Sequence, residues 1–176
     1  VVTLVVVGIA LLLRRAAGAD AAPAGRRAGL TALLSLGAAA VINTVMFARA
    51  FGSPDNIAQR FDNIVHLNAI GLALQNGDAS PFQIGATSDI GFYPNAWHAL
   101  TTLGAEVTGA TVPVAVNGAN LALVSILWPA SSLALAGAFF AQRRTAYVVA
   151  AALSTSFGAF PALFFNWGVL YPNLVG

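Results

Sequence analysis

An aspartate and a histidine stand four residues apart in "RFDNIVHLNAIGLAL", which begins at Arg60. The chain holds six acidic residues and two histidines, so Asp62 and His66 are scarce side chains in an oily setting. A carboxylate next to an imidazole can take a proton from a hydroxyl or pass one on. At about 100° per residue, Asp62, His66, Ala69 and Ala73 fall on one narrow helical stripe, with bulky apolar residues on either side. The pattern predicts the wall of a reaction site, in which the alanines leave room beside the acid and the imidazole. The plainer alternative is a local i, i+4 pair that solubilises an interfacial helix.

The second histidine lies in "GFYPNAWHAL". His98 is expected to face Asp62 and His66 across a hairpin, and Asp62, His66 and His98 could then hold a divalent metal. Two histidines and one carboxylate are a common open site for zinc and similar ions. Asp89 could add a second carboxylate. Tyr93 and Trp97 suit a membrane–water boundary, so the alternative is an aromatic belt with His98 as a satisfied interfacial histidine. At the end of the chain Asn166, Trp167, Tyr171 and Asn173 are expected to anchor the same boundary, and Pro161 and Pro172 to break the last helix. Asn43, Asn117 and Asn120 read as interhelical hydrogen-bonding residues.

Two helices must carry these groups. Ser53-Pro54-Asp55 has the form of a helix start and Asn76-Gly77 of a stop, which predicts a helix over 54–76. A second is predicted over 94–108, with Gly109 closing it. The Gly-, Ser- and Pro-rich stretch between them reads as a loop.

Composition sets where such helices can lie. Hydrophobic residues make up 58% and charged residues 8% of the 176 residues, and there is no lysine, against roughly 25% charged in ordinary soluble domains. Uncharged runs cover Val1–Leu13, Ala28–Ala48, Val107–Gln142 and Thr145–Gly176. A membrane-spanning helix needs about 20 apolar residues. The expected fold is therefore all-α and polytopic, with four transmembrane helices and an extracytoplasmic loop bearing two interfacial helices. Three parts follow: 1–48 with the first two spans and an arginine-rich cytoplasmic loop, 49–112 outside, and 113–176 with the last two spans. Arg14, Arg15, Arg26, Arg27, Arg143 and Arg144 fall in the two loops taken as cytoplasmic, and only Arg49 and Arg60 lie outside, which sets the orientation. The net charge of +2 is explained by these arginines, and no nucleic-acid partner is expected. With no cysteine, disulfides and thiolate metal sites are excluded. The start at Val1 within an apolar segment predicts a piece of a longer chain, completed by its remainder or by partner membrane subunits.

The stretches "QRFDNIVHLNAIGLALQNGDASPF", "GFYPNAWHAL" and "WGVLYPNLVG" resemble a multi-pass membrane family of actinobacteria. That family is similar in layout to the GT-C superfamily of membrane glycosyltransferases. The resemblance covers about 49–103 and the C-terminal motif. It implies a bacterial plasma-membrane enzyme that moves a sugar, with inversion, from a polyprenyl-phosphate donor to a cell-envelope glycan or lipid acceptor. It implies Asp62 as general base or metal ligand with His66 after it, and Tyr93, Trp97 and His98 as the second loop motif. Arg60, His66, His98 or a metal would meet the phosphate. The paired acids usual in GT-C enzymes are absent. A non-catalytic membrane subunit and a transporter of lipid-linked substrates are the alternatives.

Overall fold

The computed structural model describes residues 25–166 and 169–175, and six helices lie within them. We label them α1 (Arg26–Phe51), α2 (Phe61–Asn76), α3 (Ala96–Thr108), α4 (Val112–Phe139), α5 (Arg144–Ser156) and α6 (Ala162–Asn166). Two of the six, α1 and α4, are long and apolar enough to cross a membrane, not four. At 1.5 Å per residue they measure about 39 and about 42 Å, against a hydrocarbon core of about 30 Å. Only 22% and 28% of their apolar windows are buried, unlike the core helix of a soluble protein.

The fourth expected span is cut short. α5 has 13 residues, about 20 Å. It ends where Phe157 turns extended, and helix resumes only at Ala162, beyond Pro161. The break sought near Pro161 therefore comes earlier and leaves α5 below the length of a span. The first expected span, Val1–Leu13, lies outside the described residues, as do Arg14 and Arg15.

Contacts divide the chain into two compact units whose boundaries fall inside α1 and α4. The first joins residues 25–46 to Leu123–Phe157. Its core is Ala39, Leu133, Tyr147 and Ala151, with Ala28, Ala32, Leu36 and Ala150 packed around it. Small side chains let helices approach closely: a Cβ on Gly137 would stand 2.8 Å from the Tyr147 hydroxyl. α4 carries a π-helical turn at Leu123–Leu127, just before Pro129. Proline has no N–H, so the carbonyl of Val124, five residues earlier, loses the donor that a π-turn would give it. Asn43 replaces that donor, its Nδ2 reaching the Val124 carbonyl at 2.9 Å. The asparagine read as interhelical is thus fixed to the irregular turn.

The second unit takes Phe47–Ala122 with the stretch from Gly158. The 54–76 helix starts later than expected, at Phe61. Asn56 Nδ2 donates to the Phe51 carbonyl at 2.9 Å and ties down the end of α1, while the Ser53 hydroxyl donates to Asp55. Such side-chain bonds compete with helix, and Asn117 Nδ2 fixes the turn further through the carbonyls of Pro54 and Asn56 at 2.9 and 2.8 Å. The expected stops hold: Gly77 and Gly109 both close their helices in the left-handed conformation.

Candidate functional site

α2 buries Asn63, His66, Ala69, Ile70 and Ala73, one face of a 3.6-residue period. The alanine stripe is on that face, but the room expected beside it is filled. Ile84 packs on Ala69 and Ala73, with Ala79 and Tyr93 around them. The loop that brings Ile84 there is closed by its own bonds. Asp78 accepts from the Ser80 amide at 2.7 Å, Tyr93 N donates to Pro81 O at 2.8 Å, and Asn95 Nδ2 donates to the Ala79 carbonyl. Space remains at the N-terminal end of the stripe. There a pocket of about 270 Å³ is lined by Asp62, Val65, His66, Ile90, Tyr93, Leu170, Pro172 and Asn173.

The two histidines meet. His66 Nδ1 lies 3.1 Å from His98 Nε2, and His66 Nε2 lies 3.0 Å from the Val169 carbonyl. A carbonyl only accepts, so His66 Nε2 carries the proton. In the neutral ring Nδ1 then accepts, and His98 Nε2 is its donor. That leaves His98 Nδ1 bare, and it is buried without a hydrogen-bond partner. The Pro94 carbonyl is near enough to favour the protonated form of His98 but does not meet hydrogen-bond geometry with it. Burial first, and the neighbouring His66 second, hold His98 down to about 4. Burial also lowers His66, against the opposing pull of the Val169 carbonyl and Asp62. Both rings are therefore neutral near pH 7.

An aromatic cage holds the pair. His98 sits edge-on to Trp97 and Tyr93 at 5.1 and 5.5 Å. Tyr171 lies 5.6 Å from His66 and 5.1 Å from Trp97 between ring centres. Phe165 joins Tyr171 to Phe47 and Phe51 at the end of α1. Trp97 is buried in this cluster and its Nε1 donates to Asn120 Oδ1 at 3.0 Å, so it belongs to the core and not to an aromatic belt. Tyr171 is likewise a buried member of the cage and not a boundary anchor. Burial raises its hydroxyl to about 12, and burial followed by the Asp62 charge raises that of Tyr93.

Of the residues singled out in the sequence, Asp62, His66 and Tyr93 line the pocket, and His98 and Trp97 stand behind it. Arg60 and Asp89 are exposed and outside the pocket lining. Arg60 forms the extended residue before α2, and Asp89 takes a left-handed conformation after a short 3₁₀ turn. Three ligands do not gather. Among the described residues no group of three His, Cys, Asp or Glu side chains could hold a metal ion, and His66 has both ring nitrogens engaged. The side chains present do not fit the Asp62–His66–His98 metal site. Sequence reasoning missed Leu170, Pro172 and Asn173 as pocket walls. Their one signal was the proline-broken end of the chain. Trp167 lies outside the described residues.

An all-α chain with two helices of membrane-crossing length, and a histidine–aromatic site in the segment between them, defines the class. The chain belongs to a family of unknown function (DUF6541), which matches residues 1–176. No curated protein and no solved structure matches it.

Proposed function

We propose that this chain is part of a membrane glycosyltransferase of the GT-C kind, with Asp62 as the general base. α1 and α4 cross the bilayer in this reading, and residues 52–111 lie on its extracytoplasmic side. The observation that carries the proposal is the placement of Asp62. A carboxylate lines a small pocket whose other polar groups are His66, Tyr93 and Asn173, in an otherwise apolar wall. At about 270 Å³ the pocket is smaller than the roughly 300–1,000 Å³ of sites for drug-sized ligands, so it suits one sugar ring and not a glycan chain.

In the reaction, Asp62 takes the proton of an acceptor hydroxyl as that oxygen bonds to the anomeric carbon of the donor. The bond from the anomeric carbon to the lipid phosphate breaks, and the phosphate leaves with its electron pair. His66 is neutral and donates to Val169, so its part is to position. The Tyr93 hydroxyl and the Asn173 amide are the donors left for the sugar or phosphate. No step uses a metal.

The test is turnover of a radiolabelled polyprenyl-phosphate sugar by membranes carrying the full-length protein. Asp62→Asn is expected to lower the rate by about 10²–10⁴-fold, the usual worth of a general base, with unchanged thermal unfolding. A variant with full turnover would overturn Asp62 as the base, and turnover equal to that of membranes lacking the protein would favour a non-catalytic subunit.

A further inference from the structure

The rim of the pocket is apolar and bare. Phe61 is 88% exposed, Ile64 61%, Phe82 70% and Phe92 59%. Phe61 and Ile64 are chain neighbours of the pocket residues Asp62 and Val65, and Phe92 of Tyr93. Phe82 and Phe92 lie edge to face, 5.7 Å between ring centres. Ile90 belongs to both sets, since it lines the pocket and is itself exposed. The loop 79–95 that presents three of the five contains a single charge, Asp89. Exposed aromatic surface of this kind marks a contact site.

Chain connectivity says what covers it. The segment that bears the rim leaves α1 at Phe51 and enters α4 at Val112, and both helices have the length and composition of spans. A segment tied at each end to a span begins and ends at the bilayer surface. We propose that Phe61, Ile64, Phe82, Ile90 and Phe92 dip into the acyl region of that bilayer and open the Asp62 pocket toward it. The ligand class this favours is an amphiphile whose polar head enters the pocket while its hydrocarbon tail stays in the membrane. The inference rests on the membrane reading above, but not on the chemistry of Asp62.

The chain has no cysteine, so single cysteines can be spin-labelled directly. The full-length protein, carrying Phe61→Cys, Phe82→Cys or Phe92→Cys, is reconstituted in phosphatidylethanolamine–phosphatidylglycerol vesicles. Collisions of the label with oxygen and with a water-soluble nickel chelate are then compared. The expected ratio of oxygen to nickel collisions is several-fold higher at all three sites than at the exposed polar control Gln75→Cys. Ratios equal to the control would place the rim in water and overturn the proposal. Labels screened from both colliders would place it against another protein chain and overturn it too. Carbonate extraction separates the two levels: a protein released at alkaline pH sinks the membrane reading itself, whereas an integral protein with a wet rim sinks only this inference.

Discussion

At the scale of single residues the site turns on which nitrogen holds a proton. His66 is oriented from both sides, by the Val169 carbonyl and by His98, and only one arrangement of protons satisfies the neutral pair. Removing His98 leaves His66 Nδ1 without its donor and opens space beside Trp97. His98→Ala should therefore cost about 3 kcal/mol, read from thermal unfolding in detergent. Acid should act on the same pair. An unfolded histidine binds its proton near pH 6.5, whereas folded His98 does so only near 4. Its contribution is complete above about pH 6.5 and is lost as pH falls toward 4. At 1.36 kcal/mol per unit the loss approaches about 3 kcal/mol. The unfolding midpoint is expected to drop across that window, and His98→Phe to flatten the drop. A midpoint that rises on acidification would refute the neutral pair.

At the scale of elements the close approaches can be ranked. A Cβ on Gly85 would lie 2.5 Å from the Ile90 carbonyl, a backbone atom that cannot move unless the loop opens. On Gly137 it would meet the Tyr147 ring at 2.8 to 3.3 Å, the outer part of a side chain. Gly85→Ala should cost about 1–3 kcal/mol and perturb the pocket through Ile90, and Gly137→Ala should cost less. Thermal midpoints of the two variants check the order. Asn43→Leu should cost about 1–3 kcal/mol, because the Val124 carbonyl then loses the amide that stands in for the donor Pro129 lacks. The late start of α2 has a local cause. The residues that look like a helix start, Ser53 and Asp55, bond to each other, and the asparagines at 56 and 117 hold the neighbouring backbone in a turn.

At the scale of the whole molecule the proposal is a bilayer crossed by α1 and α4. The six arginines outside the 49–112 segment and its two arginines give that arrangement a direction. A cysteine at Gln75 should react with a membrane-impermeant maleimide in intact cells, and one at Thr145 only after the membrane is opened. The reverse pattern would invert the orientation. The C-terminal stretch must share the side of the 52–111 segment, because Val169 and Tyr171 contact His66 within one unit. α5, which leads back toward that stretch, is only 13 residues long, so four equal spans do not describe the chain.

Sequence alone determined the all-α class, the apolar runs that form α1 and α4, and the glycine stops at Gly77 and Gly109. These are local or compositional properties: run length, helical period and the freedom of glycine at positive φ. Tertiary structure decided the rest of the site. It turned His66 toward His98 and Val169, which lie 32 and 103 residues away. It filled the alanine stripe with Ile84, and it drew Leu170, Pro172 and Asn173 to the wall beside Asp62. Helical period gives the angle of a side chain about its own axis. It carries no information on which distant segment packs there, and the shape and polarity of this pocket depend on that choice.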